Sequence, residues 1–376
     1  MNKRKRKERK YSRILLKLPL LLFLPAARLL ANWAIHNPAT IENVYSRKIY
    51  PFISSPVSRF FGMFPFSVAE ILLLTAAVVL PTAIIISLIL AIKNKHGLYT
   101  AANWIVSLAC TFSIMYFLFI SGWALNYHRL PLAESLGYIV QPSSINELED
   151  LCRDLIDRAN EARSALPEKE DGSLAPPIDS TTVLKYARQA YWMLGQQHPV
   201  FKTVYGVPKP VLLSESMCYT ETTGIFMPFT YEANLNVATP GIMFPATVCH
   251  EIAHQYGFSR EDEANYLGYL ASVNSGNDYF EYSGLMLALT YSMNALHSEN
   301  PELYSELHSL YNQGLNSDII ARRNFWKKYE GPVAEKSAQV NNSYLKSNNQ
   351  TDGVKSYGRM VDLLLAERRS GSSGAD

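Results

Sequence analysis

The residues best suited to chemistry are His250, Glu251 and His254, the H-E-x-x-H pattern inside FPATVCHEIAHQYGFSREDEANYLGY (244–269). On a helix, residues four apart share a face, so both imidazoles meet one point in space while Glu251 leans toward the same side. That is the chemistry of two zinc ligands and a general base. A catalytic zinc usually takes three protein ligands and leaves a fourth position for water. Seven residues beyond His254 an acidic cluster begins, Glu261, Asp262 and Glu263, and opens what reads as a second helix directly after a turn. Glu261 and Glu263 point about 200° apart on such a helix, so only one of them can face the metal. Glu261 is the favoured third ligand, Glu263 the alternative, and Asp262 reads as a solvated charge at the positive end of the helix dipole.

These groups need a short, buried helix with a firm end. Pro245 suits a first helical turn, and Gly257 supplies the left-handed residue that commonly stops one. Between residues 244 and 259 the only charge is Glu251. Most of this helix should therefore be buried, where two histidines require partners. Cys249 neighbours His250 but points some 100° away on the helix, as a small buried hydrophobe would.

The motif resembles the zincin metallopeptidase consensus, in which uncharged residues flank the histidines, here Thr247, Val248, Cys249, Ile252 and Ala253. Glu261 to Asn265 is similar to the E-x-x-A-D/N element of gluzincins, whose first glutamate is the third ligand; the resemblance maps that role onto Glu261. The gap from His254 is shorter than in many gluzincins. More narrowly, the chain resembles a family of uncharacterised bacterial membrane proteins with a few transmembrane helices before a zincin-like domain. The stretches that carry this are PFTYEANLN (228–236), CHEIAHQYGFSREDEANYLGYL (249–270), YSG (282–284) and YLKSNNQTDGVKSYGRMVDLLL (344–365). This resemblance implies a membrane-anchored zinc peptidase and supplies no substrate.

At 376 residues the chain has room for a membrane part and one soluble domain. A net charge of +2 says little, because the basic residues are uneven: Lys3, Arg4, Lys5, Arg6, Lys7, Arg9, Lys10 and Arg13 crowd the start. Apolar segments follow, which favours a topology signal over nucleic-acid binding. Uncharged runs at 71–92 and 97–127 are long enough to span a bilayer, and 14–35 is a third span despite Lys17 and Arg28, with Lys17 snorkelling inward and Arg28 outward. With three spans, the basic start and the loop holding Lys93 and Lys95 stay in the cytoplasm, and everything after Tyr127 lies outside. Residues 36–66 then form an external loop whose aromatics, Tyr45, Tyr50, Phe52, Phe60 and Phe61, sit at the membrane interface. No C-x-x-C pair exists. A Cys152–Cys218 disulfide is open to an exported domain.

The expected architecture is an α-helical membrane anchor (1–130; helices near 14–35, 68–92 and 100–126), then a mainly helical α+β zincin-like domain with a small sheet (131–369), and a disordered tail (370–376). Helical spacing marks 145–156, capped by Ser143 or Ser144, and 181–194. A strand at 211–213 and a small sheet or hairpin over 224–237 precede the zinc helix, and helices follow at 279–296, 302–312, 319–329, 333–347 and 355–367. Glu232, Asn234 and Asn236 alternate on one strand face, either solvated or part of an edge that binds substrate backbone. Tyr282 is a candidate oxyanion donor, with packing the favoured role. With zinc on His250, His254 and Glu261 and with Glu251 as base, the reaction is hydrolysis of a peptide or protein substrate. The rival is an inactive metal-binding membrane sensor or interaction module.

Overall fold

The computed structural model describes residues 12, 14–93, 97–347 and 359–372. It begins with α1 (Phe23–Ile35), α2 (Tyr50–Gly62), α3 (Val68–Lys93) and α4 (Gly97–Gly122). Three of its helices are long and apolar enough to cross a membrane: Leu18–Ile35, which is α1 with a preceding 3-10 turn, then α3 and α4. The most apolar stretch of α3 has no buried residue, so its whole circumference is free for lipid. The ammonium of Lys17 donates to Asn103 Oδ1 (2.9 Å) and Ser107 Oγ (2.6 Å) on α4. The basic start, apart from its flanking Ser12, and Lys95 lie outside the described residues.

The expected loop at 36–66 is instead helical, a π-helical stretch (Ile41–Ile49) running into α2, and it packs into the core. Tyr45 and Tyr50 are buried; Phe52 and Phe60 remain exposed. Pro51 occupies the first turn of α2, where a missing N–H costs nothing, so a residue that reads as loop punctuation is compatible with helix. What draws the segment inward is Glu42. Its carboxylate accepts from Arg129 Nε (2.7 Å) and Nη2 (3.0 Å), and both residues are almost fully buried. Arg129 Nη1 also donates to the carbonyl of Gly257 (3.1 Å), and its guanidinium lies 4.0 Å over the Phe258 ring.

Beyond the apolar helices, α5 (Ile145–Ser164) starts with the Ser144–Glu147 capping box that the sequence pattern offers, and α6 (Ser180–Gln197) has Asp179 as cap. A three-stranded sheet follows, in the order β1 (Lys209–Pro210), β3 (Glu232–Leu235), β2 (Gly224–Met227), with β1 parallel and β2 antiparallel to β3. The strand expected at 211–213 thus falls two residues earlier. Glu232, Asn234 and Asn236 are buried on the central strand, neither solvated nor free to bind substrate. Glu232 accepts from the first amides of α3, Val68 (3.1 Å) and Ala69 (2.8 Å), and Asn236 donates to Thr222 O (3.0 Å).

The remaining helices are α7 (Phe244–Gln255), α8 (Glu261–Val273), α9 (Asp278–Glu299), α10 (Pro301–His308), α11 (Gln313–Trp326), α12 (Pro332–Ser347) and α13 (Met360–Ser372). Ser370, Ser372 and the residue between them extend α13 rather than starting a tail, and 373–376 lie outside the described residues. The Y-S-G stretch at the start of α9 works as a unit. Tyr282 donates to Asp318 Oδ2 (2.7 Å) and is fully buried, so it packs rather than serving the site. Ser283 Oγ accepts from Ala246 N (3.0 Å), satisfying a donor at the start of α7. Gly284 lets α9 close on α8: a Cβ there would sit 2.8 Å from the Ser272 side chain. All four cysteines are buried free thiols, so Cys152 and Cys218 are not joined.

Breaking one half of a buried ion pair costs about 3–5 kcal/mol, whereas exposed pairs contribute about 0–1 kcal/mol. Glu42→Ala should therefore lower the melting temperature of the detergent-purified chain far more than Glu149→Ala, which removes the exposed partner of Arg153. Equal melting temperatures for the two variants would contradict this.

Candidate metal centre

The helix carrying the motif ends where Gly257 adopts φ +79°. Gly257 N donates to His254 O (3.0 Å) and Phe258 N to Ala253 O (3.1 Å), the paired bonds of a Schellman stop. This reversal swings the Phe258 carbonyl beneath His254, where it accepts from Nδ1 (2.7 Å). A carbonyl can only accept, so Nδ1 holds the proton and Nε2 turns its lone pair outward. Arg129 on the Gly257 carbonyl and Tyr50 Oη donating to Gln255 O (3.0 Å) hold the turn from behind.

Helix α8 begins four residues past the turn and returns Glu261 to the imidazoles. Glu261 Oε2 is 3.3 Å from His250 Nε2, and Oε1 is 3.7 Å from His254 Nε2. The three candidate ligand atoms lie within 4.8 Å of one another. The close approach of α8 to α7 depends on Gly268, whose added Cβ would sit 3.0 Å from Ala246 O and 3.4 Å from the His250 side chain. Glu263 points elsewhere: its Oε1 accepts from Leu132 N (2.8 Å) and Arg260 Nη1 (3.1 Å). The choice between the two glutamates is thus made by packing. Asp262 is not solvated; burial and then the Glu263 charge push its carboxyl up to about 6, and Arg359 lies 3.7 Å away.

Glu251 is buried against the edge strand, with Oε2 lacking a hydrogen-bond partner among the described residues. A Cβ on Gly224 of β2 would fall 2.5 Å from Glu251 Oε1, so glycine there makes room for the carboxylate. Burial pushes Glu251 up to about 8 and His254 down to about 4. For His250, burial alone pulls downward, but the hydrogen bond and charge of Glu261 leave it raised.

Residues 45–365 match the model of a family described as a protein of unknown function, DUF3810. The chain belongs to the DUF3810 family. No curated protein and no solved structure matches it. In this DUF3810 chain the matched region takes in α3 and α4 as well as the whole of the candidate centre, and leaves out α1.

The donors fit a divalent zinc ion. Bonds of about 2.0–2.1 Å in tetrahedral array set neighbouring ligand atoms roughly 3.3 Å apart; the two Glu261–imidazole separations, 3.3 and 3.7 Å, are near this, and the whole set, within 4.8 Å, would draw in slightly around an ion. Two carboxylates buried beside two imidazoles also call for a cation, because each acidic group raises the electrostatic cost of the other. The centre opens into a cleft of about 980 Å³ whose walls include β2, Tyr291, Arg322 and Tyr344. Tyr291 was not singled out by sequence, since one tyrosine among 23 carries no signal. It takes a hydrogen bond from Asn265 Nδ2 (3.2 Å), and burial followed by the Glu261 charge pushes its phenol up to about 12, so it stays a donor facing the cleft. Asn265, last residue of the E-x-x-A-N element, thus holds Tyr291 beside the helix that carries Glu261, and it adds to the upward pull on His250.

Zinc content of the purified full-length chain separates these roles. Glu261→Ala should lose most of the bound zinc, while Glu263→Ala should retain it and lose thermal stability; zinc loss from the second and not the first would overturn the ligand choice. Gly257→Ala strains the left-handed turn by about 1–2 kcal/mol and displaces the Phe258 carbonyl. It should weaken zinc binding about 10–100-fold in a chelator competition, the range for losing an outer partner of a ligand.

Proposed function

We propose that this DUF3810 protein is a membrane-anchored zinc metallopeptidase of the zincin type. The observation that supports this most is the buried carboxylate of Glu251, with an unpartnered oxygen, in a cleft beside the two imidazoles and Glu261. A site that only stored a metal, in a sensor or interaction module, has no use for such a group.

His250, His254 and Glu261 would hold the ion, leaving the cleft side open. When bound, zinc supplies Lewis-acid activation of water and of a carbonyl group. Glu251 takes the proton from the attacking water and passes it to the nitrogen of the departing amine. One water is consumed, the C–N bond breaks, and a carboxylic acid and an amine leave. His254 keeps its orientation through the Phe258 carbonyl. Among the described residues β2 is an outer strand of the sheet; it borders the cleft, where its outward backbone groups would pair with an extended substrate. Three spans put the domain on the face opposite the basic N-terminus, and the positive-inside rule makes that face extracytoplasmic.

Glu251→Gln removes the base without touching a proposed ligand. Zinc content should stay at the wild-type level while hydrolysis of a peptide library falls by about 10²–10⁴-fold. Cleavage that survives this change would remove the mechanism.

A further inference from the structure

The hairpin β2–β3 is fastened to the ends of two membrane helices. At its turn, Tyr231 Oη donates to the carbonyl of Gly122, the last residue of α4 (3.1 Å). The next residue, Glu232, receives the opening amides of α3. The start of α3 and the end of α4 lie on one membrane face, since the two helices are consecutive spans. The turn between β2 and β3 therefore sits at that face, and Phe229 at its tip is 41% exposed. Met63 (75%) and Phe66 (37%), just before α3, are exposed apolar side chains at the same level.

From this tip β2 runs directly to the candidate centre. The Phe226 ring lies tilted at 42° against Trp123, the first residue beyond α4, at 4.5 Å between centroids, and Trp123 meets His254 edge-on at 6.1 Å. One indole thus separates a candidate zinc ligand from the end of a membrane helix. Gly224, against Glu251, is five residues from Phe229, at most roughly 17 Å, since β2 ends at Met227 and the last two residues lie in the turn. Phe119 and Trp123 line the same cleft as His250 and Glu251, so the cleft is continuous with the membrane face.

We propose that the substrate of this DUF3810 protein is a polypeptide itself anchored in the bilayer, cut within about ten residues of the membrane surface. This rests on the metallopeptidase reading. A chain leaving the bilayer beside α4 pairs along the open edge of β2 and reaches Glu251 after about five residues, a distance set by the fixed hairpin. Sharing one membrane also raises the effective concentration of such a substrate over a soluble one.

The test uses full-length chain with zinc in phosphatidylcholine vesicles. A pool of peptides of randomised sequence is offered either free or joined to a leucine-alanine helix of about 20 residues that anchors it in the same vesicles. The anchored pool should be cut at least about tenfold faster, with mass spectrometry locating the cuts within about ten residues of the helix. Equal rates, or cuts scattered along the anchored peptides, would overturn the proposal. A second readout needs no activity. Phe229→Cys can be labelled with bimane, because the native cysteines are buried, and brominated lipid should quench it. An unquenched label overturns the proposal whether or not peptides are cut. Quenching with neither pool cut means that the hydrolase reading has failed, and the substrate assignment with it.

Discussion

Because Gly257 takes a left-handed backbone, α7 stops one residue after His254 and the chain is back beside it at Glu261, four residues past the turn. The same reversal supplies the carbonyl that fixes the His254 tautomer. One torsion angle thus sets the reach of the third candidate ligand and the direction of the second. Such a turn, packed with carbonyls and an aromatic ring, needs support from outside, and the buried Arg129–Glu42 pair provides it. A buried pair is weak evidence for stability in itself. Here its value is positional, since Arg129 binds the turn with the donors that Glu42 leaves over.

That arrangement ties the centre to the membrane region. Glu42 and Tyr50 come from the segment between the first two apolar helices and Trp123 from the end of the third; Tyr50 and Trp123 touch α7 directly, and Glu42 acts on its turn through Arg129. On the far side, Ser283 caps α7 and Gly284 brings α9 against α8. The candidate centre is held both from the side of the apolar helices and from the side of α8 and α9. A change in the packing of α4 would be felt at His254 through a single ring.

Much of the centre was legible in sequence because its signals are local. The four-residue spacing of His250 and His254, the helix stop at Gly257 and the acidic start of α8 each act within a few residues. Glu261 and Glu263 could be told apart in direction, but only packing decided between them. The misreadings concern long-range partners. Residues 36–66 look like a loop because Pro, Ser and aromatics dominate, and nothing nearby announces that Glu42 pairs with a residue 87 positions away. Glu232, Asn234 and Asn236 alternate like a solvated strand face, yet their partners at the start of α3 and around Thr222 turn that face inward. Tyr291 stayed unnoticed for the same reason: its contact with Asn265, a residue the motif does mark, spans 26 residues.

The central claim is that two imidazoles and one carboxylate share a divalent ion with an open side. X-ray absorption at the zinc edge of the purified full-length protein tests it most directly. The account predicts one zinc per chain with a first shell of nitrogen and oxygen scatterers at about 2.0–2.1 Å, imidazole outer-shell features and no sulfur. A shell containing sulfur at about 2.3 Å, or a chain that binds no zinc after metal addition, would contradict it.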